Sequence, residues 1–145
     1  MDAQVAYLSN GFYIVDPRVN HRVPCWLSFR RQINHFRSLE YLEIENRTLH
    51  LQDNELELPR LKTLRFKKCR FWGEHVQVVL NTPLLENFCE SKEEIRTTTR
   101  AVLKLSNFKF LFPHQLKYLQ IRNRERNFKL STEFVNLECL VIHGQ

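Results

Sequence analysis

The apolar positions of this chain recur with a fixed short spacing, in which a leucine is followed three and five residues later by further apolar residues. In the clearest copy, Leu61, Leu64 and Phe66 are apolar, while Thr63 and Arg65 between them are polar. Because side chains alternate between the two faces of a strand, Leu64 and Phe66 are predicted to face a core. A single copy is equally typical of one half-buried strand in an ordinary sheet.

Five phased copies favour a repeat array over that alternative; the copy at Leu85 repeats the proline, the leucine and the apolar residue three positions later, Phe88. The gaps between their opening leucines are 22, 24, 31 and 21 residues, and three of these four fit the period of roughly 20–29 residues that leucine-rich repeats have. The five opening leucines are Leu39, Leu61, Leu85, Leu116 and Leu137.

The pattern predicts one curved parallel sheet of six short strands, because a further strand near Leu103 divides the gap of 31 residues. The other five strands begin at the five opening leucines. The inward positions of these strands are expected to be buried: Leu42, Ile44, Leu64, Phe66, Phe88, Leu103, Leu105, Leu119, Ile121, Leu140 and Ile142.

Between the strands, two segments have helical spacing. A helix is predicted after Pro24, since the apolar positions that follow are separated by 3, 4 and 3 residues. A second, short helix is predicted over Gly73–Asn81, where Val76, Val79 and Leu80 share one helical face. The apolar face of the first helix consists of Trp26, Phe29, Ile33 and Phe36.

The segments outside these elements are predicted to be turns and hairpins. Asn10-Gly11 between two β-rich runs predicts an N-terminal hairpin, followed by a loop over residues 16–23. Residues 49–58 are predicted to be extended or hairpin-like, and residues 131–136 to form one helical turn. The aromatic run over residues 108–112 is interpreted as core filler.

Composition is typical of one globular domain, since 43% of the 145 residues are hydrophobic and only 3 are glycine and 5 proline. We divide the chain into an N-terminal hairpin with a capping helix, residues 1–38, and the repeats, residues 39–145. The net charge of +6 allows an acidic partner or nucleic acid without requiring either.

The N-terminal segment lacks the pattern of a signal peptide, and no apolar run is long enough to span a membrane. We therefore expect an intracellular protein, cytoplasmic or nuclear, whose four cysteines are reduced. These cysteines form no C-x-x-C pair, and no two histidines stand four residues apart, so no metal site is predicted. Catalytic motifs and phosphate loops are also absent from the sequence, so we expect neither an enzyme nor a cofactor.

The repeated units resemble the leucine-rich repeat superfamily. The spacing around Pro59-Arg-Leu61-Lys-Thr-Leu64-Arg-Phe66, and Cys69 at the ninth position of that unit, look most like the repeat region of F-box/leucine-rich-repeat proteins. The resemblance covers residues 36–145 and implies an α/β solenoid. Such a solenoid has a short curved parallel sheet on its concave face, and short helices and irregular loops on its convex face.

The same resemblance implies a substrate-recognition module of a ubiquitin ligase. No F-box precedes the repeats in this sequence, so binding of a ubiquitin-ligase adaptor would require a missing or separate F-box. In this interpretation the protein is non-catalytic and binds a protein partner that carries an acidic segment.

The concave face is the predicted binding site. Its candidate partner-binding residues are Tyr41, Glu43, Arg65, Lys67, Lys104, Tyr118, Gln120 and Arg122, which occupy outward positions of the predicted strands. The alternative function is nucleic-acid binding by the basic residues of this face together with Arg30 and Arg31. For Arg30 and Arg31 themselves, a solvated helix surface is the preferred interpretation.

Overall fold

The computed structural model describes residues 5–8, 12–16, 19–23, 37–45, 48–50, 54–67, 70–72, 77–90, 108–122 and 130–143. These residues are mostly β-strand, and the helical structure among them is a 3₁₀ turn at Pro113–Gln115. In chain order the strands are β1 (Val5–Leu8), β2 (Phe12–Asp16), β3 (Val19–Val23), β4 (Tyr41–Glu45), β5 (Thr48–His50), β6 (Asn54–Glu57), β7 (Thr63–Lys67), β8 (Arg70–Trp72), β9 (Val78–Asn81), β10 (Asn87–Glu90), β11 (Phe108–Phe110), β12 (Tyr118–Arg122) and β13 (Cys139–His143).

The main sheet has eight strands in the order β13-β12-β10-β7-β4-β1-β2-β3. The six strands from β13 to β1 are parallel to their neighbours. Five of them are the strands predicted to follow the opening leucines, so the parallel sheet is confirmed for these five, and the sixth is β1 instead of a strand near Leu103. Strand β2 is antiparallel to both of its neighbours, β1 and β3. The pairing of β1 with β2 confirms the N-terminal hairpin. The predicted loop over residues 16–23 is wrong, because β3 occupies most of it.

Two smaller parallel sheets accompany the main one. One has the order β11-β9-β6, and the other pairs β5 with β8. The expectation that residues 49–58 are extended is confirmed in β6, but β5 and β6 do not form a hairpin with each other. Each of them pairs instead with a strand from the following unit of the sequence.

A hydrogen-bonded turn precedes four strands of the main sheet. In each turn the backbone N–H of an opening leucine donates to the carbonyl oxygen three residues earlier, at 3.1–3.4 Å. Pro59 and Pro83 occupy the second position of the first two turns, where their fixed φ suits the geometry. The four turns are Leu58–Leu61, Thr82–Leu85, Pro113–Leu116 and Phe134–Leu137.

The strands that follow these turns are joined by a repeated backbone contact. The carbonyl oxygen of Glu40 accepts hydrogen bonds from the N–H groups of Lys62 and Thr63, at 2.8 and 3.1 Å. The carbonyl oxygens of Lys62, Glu86 and Lys117 each accept an equivalent pair from the next unit. Successive units therefore stack in one constant register, as the phased leucines predicted.

The hydrophobic core contains residues of the main sheet and of strands β6, β9 and β11. Four opening leucines are at most 2% exposed, and the fifth, Leu137, packs against the core. Seven of the predicted inward residues are also buried: Leu42, Ile44, Leu64, Phe66, Phe88, Leu119 and Ile121.

Predicted burial is wrong at two inward positions, Leu140 and Ile142, which are 39% and 41% exposed. Both lie on β13, the edge strand of the main sheet, so a neighbouring strand covers their row from one side only. Leu103 and Leu105 lie outside the described residues. However, β10 pairs directly with β12, so no strand near Leu103 intervenes between them as predicted.

The predicted helix over Gly73–Asn81 is also wrong in its described part, where Val78–Asn81 forms β9. Val78 and Leu80 are buried while Val79 is half-buried, which is the period of two of a strand. The adjacent β-branched valines favour a strand, and β9 gains backbone partners in β6 and β11.

The expectation that the aromatic run fills the core is confirmed at Phe108, which is buried in the core, and at Phe110, which packs against it. Both residues belong to strand β11. The expected helical turn over residues 131–136 is a turn closed by Phe134 N–H and Ser131 O, which leads into the Phe134–Leu137 turn. The helix predicted after Pro24 lies outside the described residues.

Replacing Leu64 by alanine is expected to lower the free energy of unfolding by about 2–5 kcal/mol, because Leu64 is a fully buried core leucine. Chemical denaturation measures this loss. Leu84→Ala is the matched control, since Leu84 is 40% exposed and its truncation leaves no comparable cavity. Equal stability of the two variants would show that Leu64 is not in the core.

Candidate functional site

The outward residues of the main sheet form rows across neighbouring strands, because the parallel strands pair in constant register. We call the surface made by the first two rows, together with Lys67 in the next row, the polar face. The first row is Tyr41, Thr63, Asn87, Tyr118 and Cys139, and the second is Glu43, Arg65, Cys89, Gln120 and Val141. With strands about 4.8 Å apart, each row of five spans roughly 19 Å.

Glu43 is the centre of a polar cluster that contains four of the predicted site residues. Tyr41 donates its hydroxyl hydrogen to Glu43 Oε1 at 2.9 Å. Lys67 Nζ lies 3.4 Å and Arg65 Nε 3.8 Å from the same oxygen. These neighbours leave the Glu43 side chain only 9% exposed, although it lies on the solvent side of the sheet.

Arg65 is held loosely within this cluster. Its Nη1 donates to the Tyr41 hydroxyl at 3.5 Å, at the long end of hydrogen-bond distances. Its Nε atom is buried and has no hydrogen-bond partner. Burial lowers the pKa of Arg65, but the hydrogen bond to Tyr41 and nearby acidic groups outweigh this and leave the pKa raised. Arg65 therefore remains a cation with unused hydrogen-bonding capacity, and its side chain is 38% exposed.

Two further groups of the polar face have raised pKa values. Burial raises the pKa of the Cys89 thiol, and the Arg65 guanidinium opposes this shift in part. Burial also raises the pKa of Tyr118, with the acidic groups of Cys89 and Cys139 adding to the shift. At neutral pH these side chains are thus neutral, so Cys89 does not supply a reactive thiolate.

Two further hydrogen bonds of the polar face join neutral groups. Tyr118 donates its hydroxyl hydrogen to Gln120 Oε1 at 2.7 Å, within one strand. Asn87 Nδ2 donates to Thr63 Oγ1 at 3.2 Å, between two strands. These bonds fix the orientation of the side chains before any partner is bound.

The structure groups the predicted site residues unequally. Tyr41, Glu43, Arg65 and Lys67 form one cluster on β4 and β7, while Tyr118 and Gln120 lie together on β12. Arg122 is placed only by its backbone on β12, and Lys104 is outside the described residues.

The predicted site omitted five residues that the same rows contain: Thr63, Asn87, Cys89, Cys139 and Val141. Each of them follows the alternation that identified the other outward positions, so the sequence was sufficient to include them in the predicted site. The sequence did not show that Glu43 lies within ion-pair distance of both Arg65 and Lys67. Together these three side chains contribute one net positive charge instead of two.

Within the described ranges, no group of three or more His, Cys, Asp or Glu residues is arranged to hold a metal ion. Over the same part of the chain, no helix has the length and apolar character needed to cross a membrane.

No family model, curated protein or solved structure matches this chain.

The raised pKa values predict that stability falls as pH rises above the ordinary thiol pKa of 9.0. Folded Cys89, and at higher pH Tyr41 and Tyr118, retain protons that the unfolded chain releases, so alkaline conditions favour unfolding. Urea denaturation at about pH 7.5 and about pH 9.5 measures the effect. Cys89→Ser should make the alkaline loss shallower than Cys139→Ser, which removes an exposed thiol. An equal loss in both variants would contradict the role of burial at Cys89.

Proposed function

We propose that the chain is a leucine-rich repeat solenoid that serves as a non-catalytic protein-interaction module. Two observations support the solenoid. The same turn and the same backbone contact recur in successive units, and a second parallel sheet, β11-β9-β6, packs behind the main one. Such an array presents a broad strand surface to a partner.

The polar face is the proposed binding surface. The observation that carries this proposal is the state of Arg65, a cation that is 38% exposed, makes a long hydrogen bond to Tyr41 and lies 3.8 Å from Glu43. Arginine and tyrosine are the residue types most often central to protein interfaces, and Tyr41 and Tyr118 lie on the same face. Because internal hydrogen bonds hold both tyrosines, little additional ordering is required when a partner binds.

An acidic segment of a protein is the proposed ligand. The cluster of Glu43, Arg65 and Lys67 has one net positive charge, and an incoming carboxylate can form a charge-assisted hydrogen bond with the exposed part of the Arg65 side chain. Complementary charge of this kind increases the association rate and selects the partner more than it increases affinity.

The role in a ubiquitin ligase depends only on the sequence resemblance to F-box/leucine-rich-repeat proteins. On that ground we propose substrate recognition inside the cell, with an adaptor bound through an F-box outside the described repeats. Nucleic-acid binding, the alternative, is less well supported, because Arg65 and Lys67 are already near an acidic group.

Affinity capture from cell extract tests the proposal. The wild-type chain should retain a protein that the Arg65→Gln/Lys67→Gln variant loses, and recovery of a ubiquitin-ligase adaptor would support the ligase role. The salt dependence of binding distinguishes nucleic acid, for which affinity falls steeply with salt in proportion to the phosphates contacted. Capture of nucleic acid alone, with that steep dependence, would overturn the proposal.

A further inference from the structure

Strand β13 carries partly exposed apolar side chains at the edge of the main sheet. Leu140 and Ile142 are paired in register with Leu119 and Ile121 of β12, which are buried. At β13 the same row is 39% and 41% exposed. The apolar row of the core therefore continues to the edge strand, where no further strand of the main sheet covers it.

The residues just before the strands alternate in charge along the main sheet. In the order of the strands from β4 to β13, they are Glu40, Lys62, Glu86, Lys117 and Glu138. Lys62 Nζ lies 3.5 Å from Glu40 Oε1, and Lys117 Nζ lies 3.8 Å from Glu86 Oε1. Glu138 ends this series as an exposed acid, and the alternation calls for a basic residue beside it.

The backbone hydrogen bonds between neighbouring units also repeat along the main sheet, always in the same direction. The carbonyl oxygens of Glu40, Lys62, Glu86 and Lys117 each accept two N–H groups from the next unit of the sheet. Glu138 occupies the equivalent position on the last unit, so its carbonyl oxygen is placed to accept the next pair. This geometry selects a parallel strand in the same register.

We propose that the β13 edge binds a strand of a protein partner by parallel strand addition. The partner's strand has a basic residue beside Glu138. It has apolar residues two and four positions later, beside Leu140 and Ile142. Strand addition gains affinity from main-chain hydrogen bonds and specificity from alternate side chains. A second copy that pairs β13 with β13 around a two-fold axis would be antiparallel and would not repeat the Lys–Glu alternation. This proposal is independent of the one made for the polar face.

A synthetic peptide tests the proposal on the full chain. The probe is Leu-Pro-Arg-Leu-Lys-Thr-Leu-Arg-Phe-Lys, the sequence of residues 58–67, whose Lys62 lies beside Glu40 within the protein. Fluorescence anisotropy of the labelled peptide should show saturable binding to the wild-type chain. The peptide with Lys62→Glu should bind about three- to tenfold more weakly, since it places two acids side by side.

Charge exchange and backbone blocking provide the controls. Glu138→Lys in the protein should reverse the preference, so that the Lys62→Glu peptide binds more tightly than the original. A peptide N-methylated at Lys62 and Thr63 should not bind, because these two N–H groups make the repeated contact to the neighbouring carbonyl.

Three results would overturn the proposal. The first is no saturable binding of the Lys62 peptide, and the second is binding that Glu138→Lys does not alter. The third is concentration-dependent dimerisation of the chain, seen by sedimentation and abolished by Ile142→Asp, which would assign the edge to a second copy.

Discussion

Replacing Phe88 by alanine is expected to lower the free energy of unfolding by about 3–5 kcal/mol. Phe88 is fully buried on β10. Its ring centroid lies 5.0–5.8 Å from those of Phe66, Phe108 and Phe110. Because these rings belong to both the main sheet and β11, the cavity would lie where the two sheets meet.

Phe112→Ala is the matched control for this measurement by urea denaturation. Phe112 is only half-buried, and the hydrophobic core does not include it. Its truncation should therefore cost clearly less than that of Phe88. Since a repeat array transmits a loss mainly to neighbouring units, the transition of Phe88→Ala is also expected to broaden. Equal effects of the two substitutions would contradict the proposed core.

The variant Arg65→Gln/Lys67→Gln is expected to bind a captured acidic partner with an association rate about tenfold lower than wild type. The substitutions remove two cations from the polar face, and both of these cations lie within ion-pair distance of Glu43. Loss of a central arginine can also cost about 2 kcal/mol of binding free energy or more. Surface plasmon resonance at physiological salt measures both effects.

Two further variants distinguish the effect of the polar face on the association rate from the effect of the net charge of the chain. Arg60→Gln/Lys109→Gln removes the same two charges from the turn before β7 and from β11, and it should leave association nearly unchanged. Glu43→Gln adds one net positive charge to the polar face, so an acidic partner should associate faster. Circular dichroism checks that each variant folds. Equal slowing by the two double variants would show that net charge, not the polar face, governs association.

The alternation of apolar and polar residues was sufficient to predict the parallel strands of the main sheet and most of its core. Leu42, Leu64, Phe88 and Leu119 are buried because a strand places every second side chain on one face, and this depends on local sequence alone. The outward row was predictable for the same reason.

Helix and strand could not be distinguished from short apolar segments such as Val78–Asn81. Val76, Val79 and Leu80 satisfy a helical face, whereas Val78 and Leu80 satisfy a strand, and the neighbouring strands decided the outcome. Tertiary pairing of β9 with β6 and β11 is not encoded in the residues of β9 themselves.

Edge positions and ion pairs also depend on the neighbours in space. Leu140 and Ile142 have the same pattern as Leu119 and Ile121, yet they are exposed because β13 is the last strand. Arg65, Lys67 and Glu43 were all predicted as outward residues of neighbouring strands. The phased leucines predict the register that pairs Glu43 with Arg65, but they do not predict which side-chain atoms then come within ion-pair distance.

Lysine footprinting with the partner bound tests the proposed polar face most directly. Lys67 lies at the edge of the cluster on β7, whereas Lys109 lies exposed on β11 of the second sheet. Acetylation of the chain, free and in complex, followed by mass spectrometry measures the protection of each lysine. The account predicts that the partner protects Lys67 and leaves Lys109 as reactive as in the free chain. Protection of Lys109 with Lys67 still reactive would place the partner on the opposite sheet and contradict the account.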